Sequence, residues 1–121
     1  MERSKILLIE DNRLVRWWMS KCLTREGFQV VAPPSVDEAL RLAATNRFDV
    51  LVSDWRLPDG QDGFKVLTAV RQAFPRIISI LISAEADAEL TERALGAGFD
   101  RVIPKPMEVS QIVEAIKSSA A

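Results

Sequence analysis

Short apolar runs alternate along the chain with segments whose apolar residues recur every three or four positions. Lys5–Glu10 (KILLIE), Phe28–Ala32, Asp49–Asp54 (DVLVSD), Ile77–Ser83 (IISILIS) and Arg101–Pro104 predict five strands. Three of these runs are continuous rather than alternating, the pattern of strands covered on both faces, as in a parallel sheet. Between them, Arg13–Glu26, Val36–Asn46, Phe64–Phe74, Ala86–Ala97 and Val109–Ser118 predict helices. In the first helix Val15, Trp18, Met19, Cys22 and Leu23 share the core face, Trp17 falls on the rim, and Gly27 ends it. Ser35 and Glu38 make a capping box for the second, after the Pro33-Pro34 turn. The third stops at Pro75, and Gly98 caps the fourth. Strand and helix alternate five times, which predicts a doubly wound α/β domain. No repeat, low-complexity tract or linker interrupts it. The 121 residues read as one domain, with its core at about 5–118 and no output domain among them.

Composition narrows the chemistry more than the fold. The chain is 48% hydrophobic and 27% charged, ordinary for a globular protein, and its formal net charge is -1. That balance argues against nucleic acid or an anionic membrane as an electrostatic partner. The longest apolar runs, such as Ile77–Ile82, are too short to span a bilayer, and Met1–Lys5 carries no signal-peptide pattern. A cytoplasmic location is expected. The single cysteine, Cys22, excludes an internal disulfide and is expected as a small buried apolar residue. The chain has no histidine, so it cannot by itself carry a Ser-His-Asp triad, a histidine metal site or a phosphohistidine relay. Carboxylates, hydroxyls, lysines and a metal are what remain.

In open parallel sheets, function gathers at the carboxyl ends of the strands, beside a topological switch point. The first predicted strand ends in Glu10-Asp11 and the third in Asp54. The fourth ends in Ser83, and the fifth ends next to Lys105. Carboxylates crowded on one edge repel, and one takes up a proton unless a cation intervenes. Magnesium suits such a site because it takes oxygen ligands and is commonly held by a few carboxylates plus a phosphate. Zinc is a poor alternative with no histidine and one helical cysteine. A metal there neutralises a phosphoryl group while Asp54 attacks it as a covalent nucleophile. Lys105 is then expected to pair with the new phosphate, and the Ser83 hydroxyl to donate to it.

These residues resemble the response-regulator receiver family of two-component signalling. The matching pieces are Glu10-Asp11, Asp54-Trp55-Arg56-Leu57-Pro58, Ser83-Ala84, Gly98 and Lys105-Pro106, and the resemblance covers the chain from Lys5 to about Ser118. It implies a flavodoxin-like (βα)5 fold with strand order 2-1-3-4-5 and a cis Lys105–Pro106 peptide. It implies Asp54 as phosphoacceptor, and Mg2+ held by Glu10, Asp11, Asp54 and the backbone carbonyl of Arg56. Ser83 and Lys105 read the phosphoryl group. The implied partners are a sensor histidine kinase and an output domain or target. The latter is contacted through the face made by the fourth helix, fifth strand and fifth helix. Such a domain catalyses only its own aspartyl phosphorylation and dephosphorylation. A homodimer is compatible with charged positions such as Glu89 and Arg93. Receivers of the nitrogen-regulatory class carry a tryptophan where Trp17 stands.

The chain departs from the family pattern in three places. Val102 stands where the family usually has an aromatic residue, three places before the lysine, and Phe99, the nearest aromatic upstream, is expected in the core. The loop Asp59-Gly60-Gln61-Asp62-Gly63 is one residue longer than usual, which surface loops tolerate. Arg56 and Glu85, two residues past Asp54 and Ser83, are expected to project over the site. As an ion pair there they would hinder the water that attacks phospho-Asp54; as two solvated charges they would contribute about 0–1 kcal/mol. A second class of function is an unphosphorylated interaction module of the same fold, which Val102 alone favours. A turnover phosphatase would want an acid at the position of Arg56.

Overall fold

The computed structural model describes residues 4–120; Met1–Arg3, part of the stretch read above for a leader, and Ala121 lie outside the described residues. Five strands, β1 (Lys5–Ile9), β2 (Gln29–Val31), β3 (Val50–Asp54), β4 (Ile78–Ser83) and β5 (Arg101–Pro104), form one parallel sheet in the order β2-β1-β3-β4-β5. The helices between and after them are α1 (Arg13–Arg25), α2 (Val36–Thr45), α3 (Gly63–Ala73), α4 (Ala88–Ala97) and α5 (Val109–Ala120). This is the flavodoxin-like α/β architecture. The continuous apolar runs are explained by burial on both faces. Ile6, Leu8, Val50, Val52, Ile80 and Ile82 face α1 and α5, while Leu7, Leu51 and Leu81, the residues between them, face α2, α3 and α4. Each such side chain, fully out of water, contributes about 1.5–3 kcal/mol.

Helix ends follow local chemistry. Asn12, Ser35, Asp62 and Asp87 each accept a backbone N–H of the first turn. Asp87 takes the Leu90 N–H, so α4 starts at Ala88 rather than Ala86. Only half of the expected capping box forms at α2: Ser35 accepts from Glu38, whose carboxylate pairs with Arg41 instead of turning back. At the end of α4, Gly98 adopts φ +109, and the Phe99 N–H reaches the Ala94 carbonyl.

Two expectations about α1 are corrected. Trp18 is 40% exposed and Trp17 62%. The buried residues of the helix are Met19 and Leu23, with Val15 packed beside them. One residue turns a helix by about 100°, so Trp18 lies well round from Met19 once the Val15–Met19–Leu23 stripe faces the sheet. Cys22 is half-buried at the edge of the same stripe rather than enclosed.

Strand registers set the functional edge. Ile9 lies beside Ser53, Asp54 beside Ile82, and Ser83 beside Pro104. The carboxyl ends of β1, β3, β4 and β5 are therefore level. The chain reverses direction across the sheet between β1 and β3, which opens a crevice there. Gly63, the first residue of α3, closes the loop that follows β3. A Cβ on it would come to 2.7 Å from the Asp54 carbonyl oxygen and 2.5 Å from Leu81 Cδ1. Gly63→Ala is expected to destabilise the domain by about 1–3 kcal/mol, measured as a lower urea midpoint with an unchanged slope.

Candidate functional site

Glu10 leaves β1 buried, 3% exposed, while Asp11 beside it is exposed. Asn12 then caps α1: its Oδ1 accepts the N–H groups of Leu14 and Val15 at 3.0 and 3.1 Å, and its own N–H donates to Glu10 Oε2 at 2.9 Å. Arg16, one turn into α1, donates to the Glu10 carbonyl at 3.0 Å. Neither Asn12 nor Arg16 was singled out from the sequence. Asn directly before a helical pattern is a capping signal, whereas nothing local marks Arg16.

Asp54 ends β3 and is 4% exposed. Lys105 Nζ lies 2.7 Å from Asp54 Oδ1 and 2.9 Å from Glu10 Oε1, a partly buried bridge across residues far apart in the chain. Asp54 Oδ2 is buried and has no hydrogen-bond partner. Carboxylate oxygens from Glu10, Asp11 and Asp54 lie within 4.8 Å of one another. A buried carboxyl oxygen without a partner, within an all-oxygen cluster, is a donor set that fits a hard divalent cation. Ser83 is buried at the end of β4, and its Oγ accepts the Glu85 N–H at 2.9 Å. The Lys105 N–H donates to the Ser83 carbonyl at 2.9 Å, and the Lys105–Pro106 peptide is cis. All the strand-end residues expected at the site are thus brought to one edge.

Arg56 and Glu85 form a two-point ion pair between the segments after β3 and β4, through Arg56 Nε and Nη2. The pair is largely exposed. The loop 59–63 is an ordered turn: Asp59 and Gly60 adopt φ +60 and +73, and Lys65 Nζ holds the Gly60 carbonyl at 2.9 Å. Val102 is half-buried against the core on the α2–α3–α4 side, and Phe99 is 3% exposed in that core.

The electrostatics follow from this packing. Burial, reinforced by neighbouring Glu10 and opposed by Lys105, pushes the Asp54 carboxyl up to about 8. Burial also works against the Glu10 charge, but Asp54, Lys105 and the Asn12 N–H together hold that group below the ordinary range. Burial opposes the Lys105 charge as well, yet Asp54 and Glu10 keep its ammonium above the usual lysine value. The two carboxyls therefore resist carrying both charges at once, and of the two Asp54 holds a proton more readily.

The family model described as the response regulator receiver domain matches residues 6–117. The chain belongs to the response-regulator receiver family. This receiver is 29% identical over 116 residues to the DNA-binding transcriptional regulator NtrC of Klebsiella pneumoniae, covering 96% of the chain and 24% of NtrC. It is also 29% identical over 117 residues to the response regulator protein FleR of Pseudomonas aeruginosa, covering 97% and 24%. The chain thus spans about a quarter of the length of these curated relatives. Among solved structures it is similar to FixJ-N, at 32% identity and TM-score 0.86, covering 99% of this chain and 95% of that one. A response regulator from Burkholderia pseudomallei superposes with TM-score 0.87 at 25% identity, covering 97% of this chain and 68% of that one. That protein carries a phosphorylated aspartic acid, a calcium ion and citrate.

The raised Asp54 carboxyl has a consequence for stability. Below about 4 both folded and unfolded chains hold this proton; between about 4 and 8 only the folded one does. Stability of the cation-free receiver is therefore expected to fall as pH rises through that window and to level off above it. Asp54→Asn cannot ionise and removes this slope. In EDTA at pH 8.5, thermal melting should place the variant about 1–3 kcal/mol above the parent, with a smaller gap at pH 5.

Proposed function

We propose that this receiver is a phosphorylation-dependent signalling switch, with Asp54 accepting a phosphoryl group from a sensor histidine kinase or a small phosphodonor. The observation that carries the reading is the state of Asp54. One oxygen is anchored by Lys105 and the other is buried without a partner, beside two more carboxylates. A structural carboxylate buried this deeply is normally satisfied on both oxygens. The phosphorylated aspartate and calcium ion of the Burkholderia pseudomallei regulator support the same reading.

Glu10, Asp11, Asp54 and the backbone carbonyl of Arg56 are the groups that would hold Mg2+. When bound, Mg2+ supplies charge neutralisation for the acidic edge and the incoming phosphoryl oxygens. The chain's own residues do the rest. Asp54, ionised, attacks phosphorus; an acyl phosphate O–P bond forms, and the bond to the donor breaks with its electron pair leaving on the donor. Lys105, already charged and within reach of Asp54, pairs with the phosphoryl group through a charge-assisted hydrogen bond. Ser83 turns its hydroxyl to donate to a phosphoryl oxygen. Arg56 and Glu85, paired between the segments after β3 and β4, would restrict the water that hydrolyses the acyl phosphate.

In this reading the domain is a phosphoacceptor that modifies itself, not a turnover enzyme. Its partners are the kinase and an output domain or target engaged through the α4–β5–α5 face, in the cytoplasm. Among the described residues no helix is long and apolar enough to cross a membrane. Val102 in place of an aromatic favours a second reading, an interaction module that is never phosphorylated.

Incubation with acetyl phosphate and Mg2+ separates the two. Intact mass should show one phosphoryl adduct on the wild type, lost in Asp54→Asn and suppressed by EDTA; no adduct on the wild type favours the passive module. Arg56→Ala is expected to shorten the lifetime of the adduct by about two- to fivefold, the equivalent of a surface ion pair. An unchanged lifetime removes the pair from the hydrolysis step.

A further inference from the structure

The helix whose surface is proposed to carry the output is thinly anchored by apolar packing. α4 buries Leu90 and Ala94, whereas α5 buries Ile112, Val113, Ala115 and Ile116. Polar and aromatic contacts therefore add materially to its hold on the domain. Two such contacts tie it to the segment that follows Asp54. The Arg56–Glu85 pair joins the loop after β3 to the loop that leads into α4. Further along, Arg93 of α4 lies over two rings at once, 5.7 Å from the centroid of Trp55 and 5.6 Å from that of Phe64. Those rings pack on each other at 4.5 Å, and Phe64 continues to Phe99 at 5.9 Å. Trp55 is the residue next to the phosphoacceptor. Its N–H is held by the Ile82 carbonyl and its own carbonyl accepts from Gly63, both at 2.8 Å.

The start of α4 is linked to the site by a second route. Ser83 Oγ accepts the Glu85 N–H at 2.9 Å, the Glu85 carbonyl accepts the Asp87 N–H at 2.7 Å, and Asp87 caps α4. A Ser83 hydroxyl drawn toward a phosphoryl group pulls on Glu85, and through Asp87 on the helix.

The geometry points to Arg93 as a clamp on the switch: its stacking on Trp55 and Phe64 holds α4 in the resting arrangement, and phosphorylation of Asp54 works against it. This rests on the proposed phosphoacceptor role of Asp54 and adds to it a positioning residue that touches no reacting atom. It also gives the chain an aromatic element coupled to α4 although β5 carries Val102. A contact made in one state alone biases the equilibrium by its own free energy, so losing it favours the phosphorylatable state.

The test uses the full chain with Trp17→Phe and Trp18→Phe, both exposed positions, so that Trp55 is the only tryptophan left. Phosphorylation by acetyl phosphate with Mg2+ is followed by intact mass, and Trp55 emission is read in parallel. Adduct formation should shift the emission. In Arg93→Gln the unmodified protein should already show much of that shift, and its phosphorylation rate should rise by about two- to fivefold, the range of an exposed cation–π contact. Arg93→Lys, which keeps a cation over the rings, should fall back toward the parent on both readouts. The clamp is overturned if the adduct forms while Trp55 emission stays put, or if Arg93→Gln is phosphorylated at the parental rate. If neither the parent nor any Arg93 variant gains an adduct, the phosphoacceptor reading falls and the clamp with it.

Discussion

Three carboxylates and one ammonium pressed onto a single sheet edge are the constraint around which this molecule is arranged. At the separation of Glu10, Asp11 and Asp54, within 4.8 Å, two unit charges repel by about 3–4 kcal/mol at an effective dielectric of 20. The fold concedes this locally and offsets it with specific partners. Lys105 bridges two of the acids, and the Asn12 N–H takes up one oxygen of Glu10. What is left is an acidic edge on which one buried oxygen of Asp54 still has no partner.

That electrostatic tension has structural support on every side. Asn12 caps α1 and touches Glu10 at the same time, so the start of the helix and the geometry of the acid are one feature. Gly63 lets α3 begin against the Asp54 backbone, where any side chain would collide. Ser83 is fixed by the Glu85 N–H and its carbonyl by the Lys105 N–H, which ties β4, the α4 loop and β5 to one another. Because each group is held by a neighbour from another element, the surroundings of Asp54 are tied to the loops after β3 and β4 and, through Glu85 and Asp87, to the start of α4.

The local residue pattern by itself determined the strand and helix order, the parallel arrangement and the strand-end acids, because apolar runs, caps and breakers act over a few residues and leave their mark there. Glu10, Asp54 and Ser83 could be named in advance since each ends an apolar run, and Lys105 since it follows the fifth strand directly. Three-dimensional packing alone decided which side of α1 faces the sheet, and it turned Trp18 outward against its apolar character, since Val15, Met19 and Leu23 fill the space better. It also decided that Arg16 supports Glu10, that Arg56 meets Glu85, and that Arg93 lies over Trp55 and Phe64. Those contacts join residues from different elements, and their geometry depends on register and crossing angles that no single stretch of chain encodes.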